Sequence, residues 1–118
     1  MILSLFAILN LFSAISFAGF GFACLKTEAM RLEFERYRLP QYRKLTGSLQ
    51  LAGAVGLFLG PYIPFVGLAA ALGLALQMLA GIAVRIRIRD KILQAFPATF
   101  YCILNAVLTW MYFARSEV

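Results

Sequence analysis

Five carboxamides stand inside otherwise apolar stretches of this chain: Asn10, Gln50, Gln77, Gln94 and Asn105. An amide donates and accepts at once, and away from water both functions need partners. Such residues therefore either tie helices together or line a pocket for a ligand with a polar end. At helical spacing each shares a face with small residues. Ser13, Ala14, Phe17 and Gly21 accompany Asn10; Thr46, Gly47, Gly53 and Ala54 accompany Gln50; Ala70, Gly73, Ala80 and Gly81 accompany Gln77; and Ala98, Tyr101, Leu108 and Tyr112 accompany Asn105. Depth sorts them into an outer pair, Asn10 with Asn105, and an inner pair, Gln50 with Gln77, with Gln94 below near a basic segment. Interhelical polar contact is the first reading. The alternative is an inner-layer pocket for a ligand such as a quinone, lined by Gln50, Gln77, Gln94 and Tyr101. Pro97 bears on that choice, because it frees a carbonyl one turn earlier, near Leu93.

Other chemistry lacks its residues. The chain has no His, which removes imidazole base catalysis, His-ligated haem and His-bearing metal sites. Cys24 closes one apolar stretch while Cys102 lies well inside another, so their depths differ by roughly 15 Å of helical rise. A disulfide needs Cα atoms within about 7 Å, so none is expected, and a thiol oxidoreductase is disfavoured. No Asp or Glu sits mid-stretch, where a proton relay would need one. No metal site, resident cofactor or catalytic activity is expected.

The elements that carry the amides follow from charge. Residues 45–84 contain no charged side chain, and similar stretches run from Met1 to Leu25 and from Ile92 to Ala114. A membrane-crossing helix needs ~20 mostly apolar residues. The central stretch is too long for one, and Gly60-Pro61-Tyr62-Ile63-Pro64 breaks it. The expected fold is all-α: one four-span membrane domain over residues 1–118, with spans at about 2–25, 45–62, 64–84 and 92–113. Its helices form a sequentially wound antiparallel transmembrane bundle. Ten of the eleven Lys and Arg lie in 26–44 and 85–91, between the spans. Basic loops are retained in the cytoplasm, so both termini are placed outside. That rule also explains the net charge of +6 without invoking nucleic acid. Tyr62, Trp110, Tyr112 and Phe113 are expected at the outer interface. The first span has no basic start and is read as a helix, not a cleaved signal.

The first basic segment has its own pattern. Thr27 caps a short helix over about 27–39 that stops before Pro40. Glu28 with Arg31, Glu33 with Arg36 and Glu35 with Arg38 are acid-before-base pairs, while Met30, Phe34 and Tyr37 form an apolar edge. The helix lies on the membrane surface, docks across the cytoplasmic mouth of the bundle, or is a solvated connecting helix. The second basic segment, Arg85 to Lys91, is read as a turn.

With these residues in view, the chain resembles the DoxX-like family of small four-span membrane proteins. Phe34-Glu35-Arg36-Tyr37-Arg38-Leu39-Pro40, the run Leu45-Thr46-Gly47-Ser48-Leu49-Gln50-Leu51-Ala52-Gly53-Ala54-Val55-Gly56-Leu57 and the small-residue third span carry the resemblance. It implies a four-helix fold, not an activity. Relatives are associated with quinone-linked sulfur oxidation, with membrane oxidoreductase complexes and, in a distant animal branch, with receptor assembly. No catalytic motif is carried over. The leading expectation is a non-catalytic accessory subunit or assembly factor in a bacterial inner membrane. It would meet membrane lipids and other membrane proteins, or copies of itself, through the ridge of Gly53, Gly56 and Gly60, whose last two form a G-x-x-x-G pair. The alternative is a quinone- or lipid-binding subunit of a redox complex with an amide-lined cavity on the cytoplasmic side. A transporter is a weaker third.

Overall fold

The computed structural model describes residues 2–116, leaving the side chains of 2, 3, 94, 115 and 116 undescribed. Five α-helices follow in order: α1 (Ile2–Lys26), α2 (Glu28–Arg36), α3 (Arg43–Leu59), α4 (Pro64–Arg87) and α5 (Ile92–Ser116), with a 3-10 turn at Pro40–Tyr42. No strand occurs among the described residues. Three helices are long and apolar enough to cross a membrane: Ser4–Lys26, Pro64–Arg87 and Ala95–Ala114. The 17 residues of α3 rise about 25 Å, which leaves it the shortest of the long helices.

Local chemistry sets these bounds. Pro64 opens α4 at a position where its missing N–H has no intrahelical partner anyway. Tyr62 N–H donates to Leu59 O at 3.0 Å and closes the turn from α3. Thr27 separates α1 from α2: its hydroxyl donates to Ala23 O at 2.8 Å and accepts from Met30 N–H at 3.3 Å. Helix α2 is shorter than the 27–39 expected, because Arg38 turns left-handed at φ 64° and Leu39 N–H reaches back to Phe34 O. Glu35 consequently pairs with Arg31 at 3.0 Å, not with Arg38. Helix α4 runs past Val84 to Arg87 and ends the same way, with Arg89 at φ 56°.

The long helices form a ring in chain order. α1 packs on α3, α3 on α4 and α4 on α5, and α5 closes sparsely on α1. Rings explain that sparse closure: Tyr101 of α5 meets Phe17 at 5.5 Å and Phe20 at 5.0 Å, so bulky side chains hold these two backbones apart. The principal core contains Phe17, Leu57, Ala71, Leu74, Leu108 and Tyr112. A second core gathers Cys24, Phe34 and Tyr37, with Met30, Val84 and Ile88 against it. Helix α2 is therefore docked across the basic end of the bundle.

Side-chain placement also departs from expectation. Tyr112 is not at an interface: it is 0% exposed, whereas Tyr62 is 84% and Trp110 67% exposed. The buried face of α4 runs through Gly67, Ala71, Leu74 and Ala75, while Gly73 points outward.

Candidate functional site: a chamber beneath the amphipathic helix

Between the two cores lies a cavity of about 440 Å³, within the usual range of ligand pockets. Its walls are mostly apolar, with Phe20, Met78, Val84 and Tyr101 from three helices and, above, Met30 and Phe34 from α2 and Tyr37 at its C-cap. The polar side chains on the wall are Thr46, Gln50, Gln77, Tyr42 and Arg85, together with the Tyr37 hydroxyl.

The inner amides are incompletely matched. Gln77 Nε2 donates to Thr46 O at 3.1 Å and so bridges α4 to α3. Among the described residues, neither Gln77 Oε1 nor Gln50 Oε1 has a hydrogen-bond partner, although both oxygens are buried. Gln50 as a whole is only 8% exposed. Leaving a buried acceptor unmatched costs ~1–3 kcal/mol, so these two oxygens ask for a donor that the chain does not provide.

The outer layer contrasts with this. Asn10 and Asn105 do not pair with each other. Asn10 Nδ2 donates to Leu57 O at 2.9 Å, and Asn10 Oδ1 accepts from the Tyr112 hydroxyl. Asn105 Oδ1 accepts from Ser13 at 2.8 Å, and its Nδ2 donates to Tyr101 O at 2.8 Å. Every function of this layer is matched, and it joins α1, α3 and α5. Tyr101 links the layers: its ring borders the chamber while its hydroxyl meets Ser16 Oγ at 3.2 Å. Gln94 lies in α5, but its side chain is outside the described residues.

The roof is fastened by charge. Arg36 bonds Glu33 at 2.7 Å within α2 and Asp90 at 3.0 Å beyond α4. The Arg36 guanidinium holds the Glu33 and Asp90 carboxyls below their ordinary values. Arg85 donates to the Tyr37 hydroxyl at 3.0 Å and lies 5.5 Å from its ring centroid. Burial pushes the Tyr37 phenol up, which keeps it neutral.

The glycine ridge is occupied within the chain. A Cβ on Gly53 would stand 2.7 Å from the Leu74 side chain, and one on Gly56 would stand 2.6 Å from Ala70 Cβ. A Cβ on Gly60 would overlap the Tyr112 ring. Their bareness thus lets α4 and α5 approach α3. The outward surface between α3 and α4 is instead a groove of about 400 Å³ that includes Leu49, Gly53, Gly56 and Gly73 and reaches Gln77.

Arg85 and the α2 roof complete a site that the amides alone did not define. Gln77, Gly81 and Arg85 are successive positions on one helical stripe, a signal hidden by treating residues past Val84 as a turn. Residues 7–107 match the family model described as the DoxX-like family. Nothing among curated proteins or solved structures matches the chain.

Proposed function

From its membership of the DoxX-like family, to which this chain belongs, we propose that this membrane protein is a ligand-binding subunit whose chamber holds a small, mostly apolar molecule by a polar end. Quinones and lipids are the classes that fit. The carrying observation is the pair of buried, unmatched amide oxygens, Gln50 Oε1 and Gln77 Oε1, on two side chains that border a cavity of ligand size. Amides that served only as ties would resemble Asn10 and Asn105, each matched on both sides. The chamber binds and orients; among the described residues its wall carries no carboxylate.

In this reading α1, α3, α4 and α5 are four membrane spans. Both termini lie outside, and α2 and the 88–91 turn face the cytoplasm of a bacterial inner membrane, with basic residues holding that side. The chamber then opens near the cytoplasmic interface beneath α2. An accessory role beside other membrane proteins is the second reading. It is favoured by the α3–α4 groove, where a Cβ on Gly73 would meet nothing within 4 Å and a partner helix has room to approach.

Purification in mild detergent followed by organic extraction and mass spectrometry tests the first reading. A stoichiometric quinone or lipid is expected from the wild type and is absent after Gln50→Leu with Gln77→Leu. Equal recovery from both proteins sinks it. Co-purification of a membrane partner without any extractable small molecule supports the second.

A further inference from the structure

The chamber has a charge at one end that the amides do not explain. Arg85 lines it, yet none of the ion pairs among the described residues uses Arg85. The nearby acids are engaged: Glu33 and Asp90 feel Arg85 but both bond Arg36. Its guanidinium donates to two neutral acceptors, the Tyr37 hydroxyl at 3.0 Å and Gly81 O at 3.3 Å, which leaves N–H groups over. A basic residue in the last turn of a helix answers the helix dipole. Arg87 already does so from an exposed position, whereas Arg85 borders an apolar cavity. A cation at such a wall is stabilised by an anion that enters with it.

We infer that the chamber takes a two-ended ligand, with an anionic group held by Arg85 at the roofed mouth and, deeper in the bundle, a hydrogen-bond donor met by the Gln50 and Gln77 carboxamides as they turn their covered oxygens toward it. This rests on the chamber being a ligand site and adds what the ligand carries at each end. Gln77 and Arg85 are separated by about 12 Å of helical rise. An extended chain advances about 1.2 Å per bond, judged from the three-bond reach of a residue, so about ten bonds join the two ends. The stretch between them, past Met78, Val84 and Tyr101, is apolar and accepts methylenes. The class is a medium-chain acid with a distal hydroxyl or amine. Its anion is either a carboxylate, as on a free fatty acid, or a phosphate, as on a lipid fragment.

The test uses the full chain in lipid nanodiscs and competition for tritiated 10-hydroxydecanoate. Unlabelled 10-hydroxydecanoate is expected to bind about tenfold more tightly than 1,10-decanediol, which has no charge, and about fivefold more tightly than decanoate, which has no distal donor. Arg85→Gln should erase the first ratio and keep the second; Gln50→Leu should erase the second and keep the first. Arg89→Gln removes an exposed charge at the same end of the bundle but outside the chamber, so it should preserve both ratios even if Arg85→Gln fails to fold. Decyl phosphate outcompeting decanoate assigns the anion to a phosphate, and the reverse assigns it to a carboxylate. Ratios near one in the wild type, no saturable binding of the probe, or loss of the charge ratio in Arg89→Gln overturns the two-ended assignment. Extraction of a native small molecule tests the chamber itself, independently of these ratios.

Discussion

The Tyr112 hydroxyl donates to the Asn10 amide oxygen, and Asn10 passes the connection on through its Nδ2 to Leu57 O at 2.9 Å. Three helices meet at that point, far from the basic end. Gly60 and Gly67 clear the space for the Tyr112 ring, since a Cβ on either would overlap it. The outer layer is thus a closed hydrogen-bonded joint, and the inner layer, one helical section away, is an open one.

Tyr112→Phe keeps the ring and removes the donor, leaving Asn10 Oδ1 buried without it. The expected cost is about 1 kcal/mol, because a chain unfolded within lipid also finds partners for its amides. Gly67→Ala should cost more, about 1–3 kcal/mol, since a rigid ring opposes the new methyl. Gly73→Ala, with open space around it, should be near neutral. Unfolding in mixed micelles ranks the three; a Gly73→Ala cost equal to that of Gly67→Ala contradicts this packing.

Gln50→Leu should raise the stability of the ligand-free protein while weakening, about fivefold, the binding of a ligand that carries a distal donor. The substitution removes a buried oxygen whose desolvation is uncompensated, worth about 1–3 kcal/mol, and leaves a side chain of similar length in an apolar wall. Asn105→Leu makes the opposite prediction, because it deprives Ser13 of its 2.8 Å acceptor. Thermal melts with and without extracted ligand check both. A destabilised Gln50→Leu shows that its oxygen was matched after all.

The roof should be indifferent to pH near neutrality and loosen in acid. Glu33 and Asp90 are held below their ordinary values of 4.5 and 3.8, by Arg36 above all. A carboxyl depressed on folding stabilises the fold above its unfolded value and loses that contribution as pH falls through the folded one. Protonation therefore weakens the Arg36 links below about pH 4. Hydrogen exchange over 28–36 should be flat from pH 7 to 5, after correction for intrinsic rates, and accelerate only as the pH falls below about 4. Asp90→Asn should give faster exchange at neutral pH, because it removes the one link of Arg36 that leaves α2.

Much of this architecture is legible in the residues. The Pro61 and Pro64 break, the Thr27 cap and the stripe from Ala98 through Asn105 to Tyr112 all rest on strong local rules, and the helices follow them. The face of α4 is not legible. In a helix apolar on all sides periodicity carries little signal, and Gln77, the one polar marker, sits at the edge of the buried face where it reaches Thr46. Tyr112 obeys its stripe and not the interface preference of tyrosine, because its hydroxyl finds Asn10 inside. Arg85 is hidden for a different reason: a basic residue after a long apolar run reads as a loop, yet α4 carries it two residues short of its end, onto the same stripe as Gln77.

The short α3 gives the topology its decisive test. At about 25 Å it falls short of a ~30 Å hydrocarbon layer, a deficit that Lys44 can offset by extending its charged end toward head groups, whereas Arg43 is turned onto α1, donating to Cys24 O at 2.9 Å and Leu25 O at 3.0 Å. If α3 crosses, Tyr62 and Arg38 lie on opposite sides of the membrane; if α3 only dips in, they lie on the same side. Tyr62 is 84% exposed and Arg38 is exposed, so single cysteines at either position will be reachable. With Cys24 and Cys102 replaced by Ala, a membrane-impermeant maleimide should label Tyr62→Cys in intact cells and Arg38→Cys only after permeabilisation. Arg89→Cys should behave like Arg38→Cys, because α4 returns the chain to the basic side. Labelling of Tyr62→Cys and Arg38→Cys under the same condition removes α3 from the membrane-crossing set and with it the four-span reading.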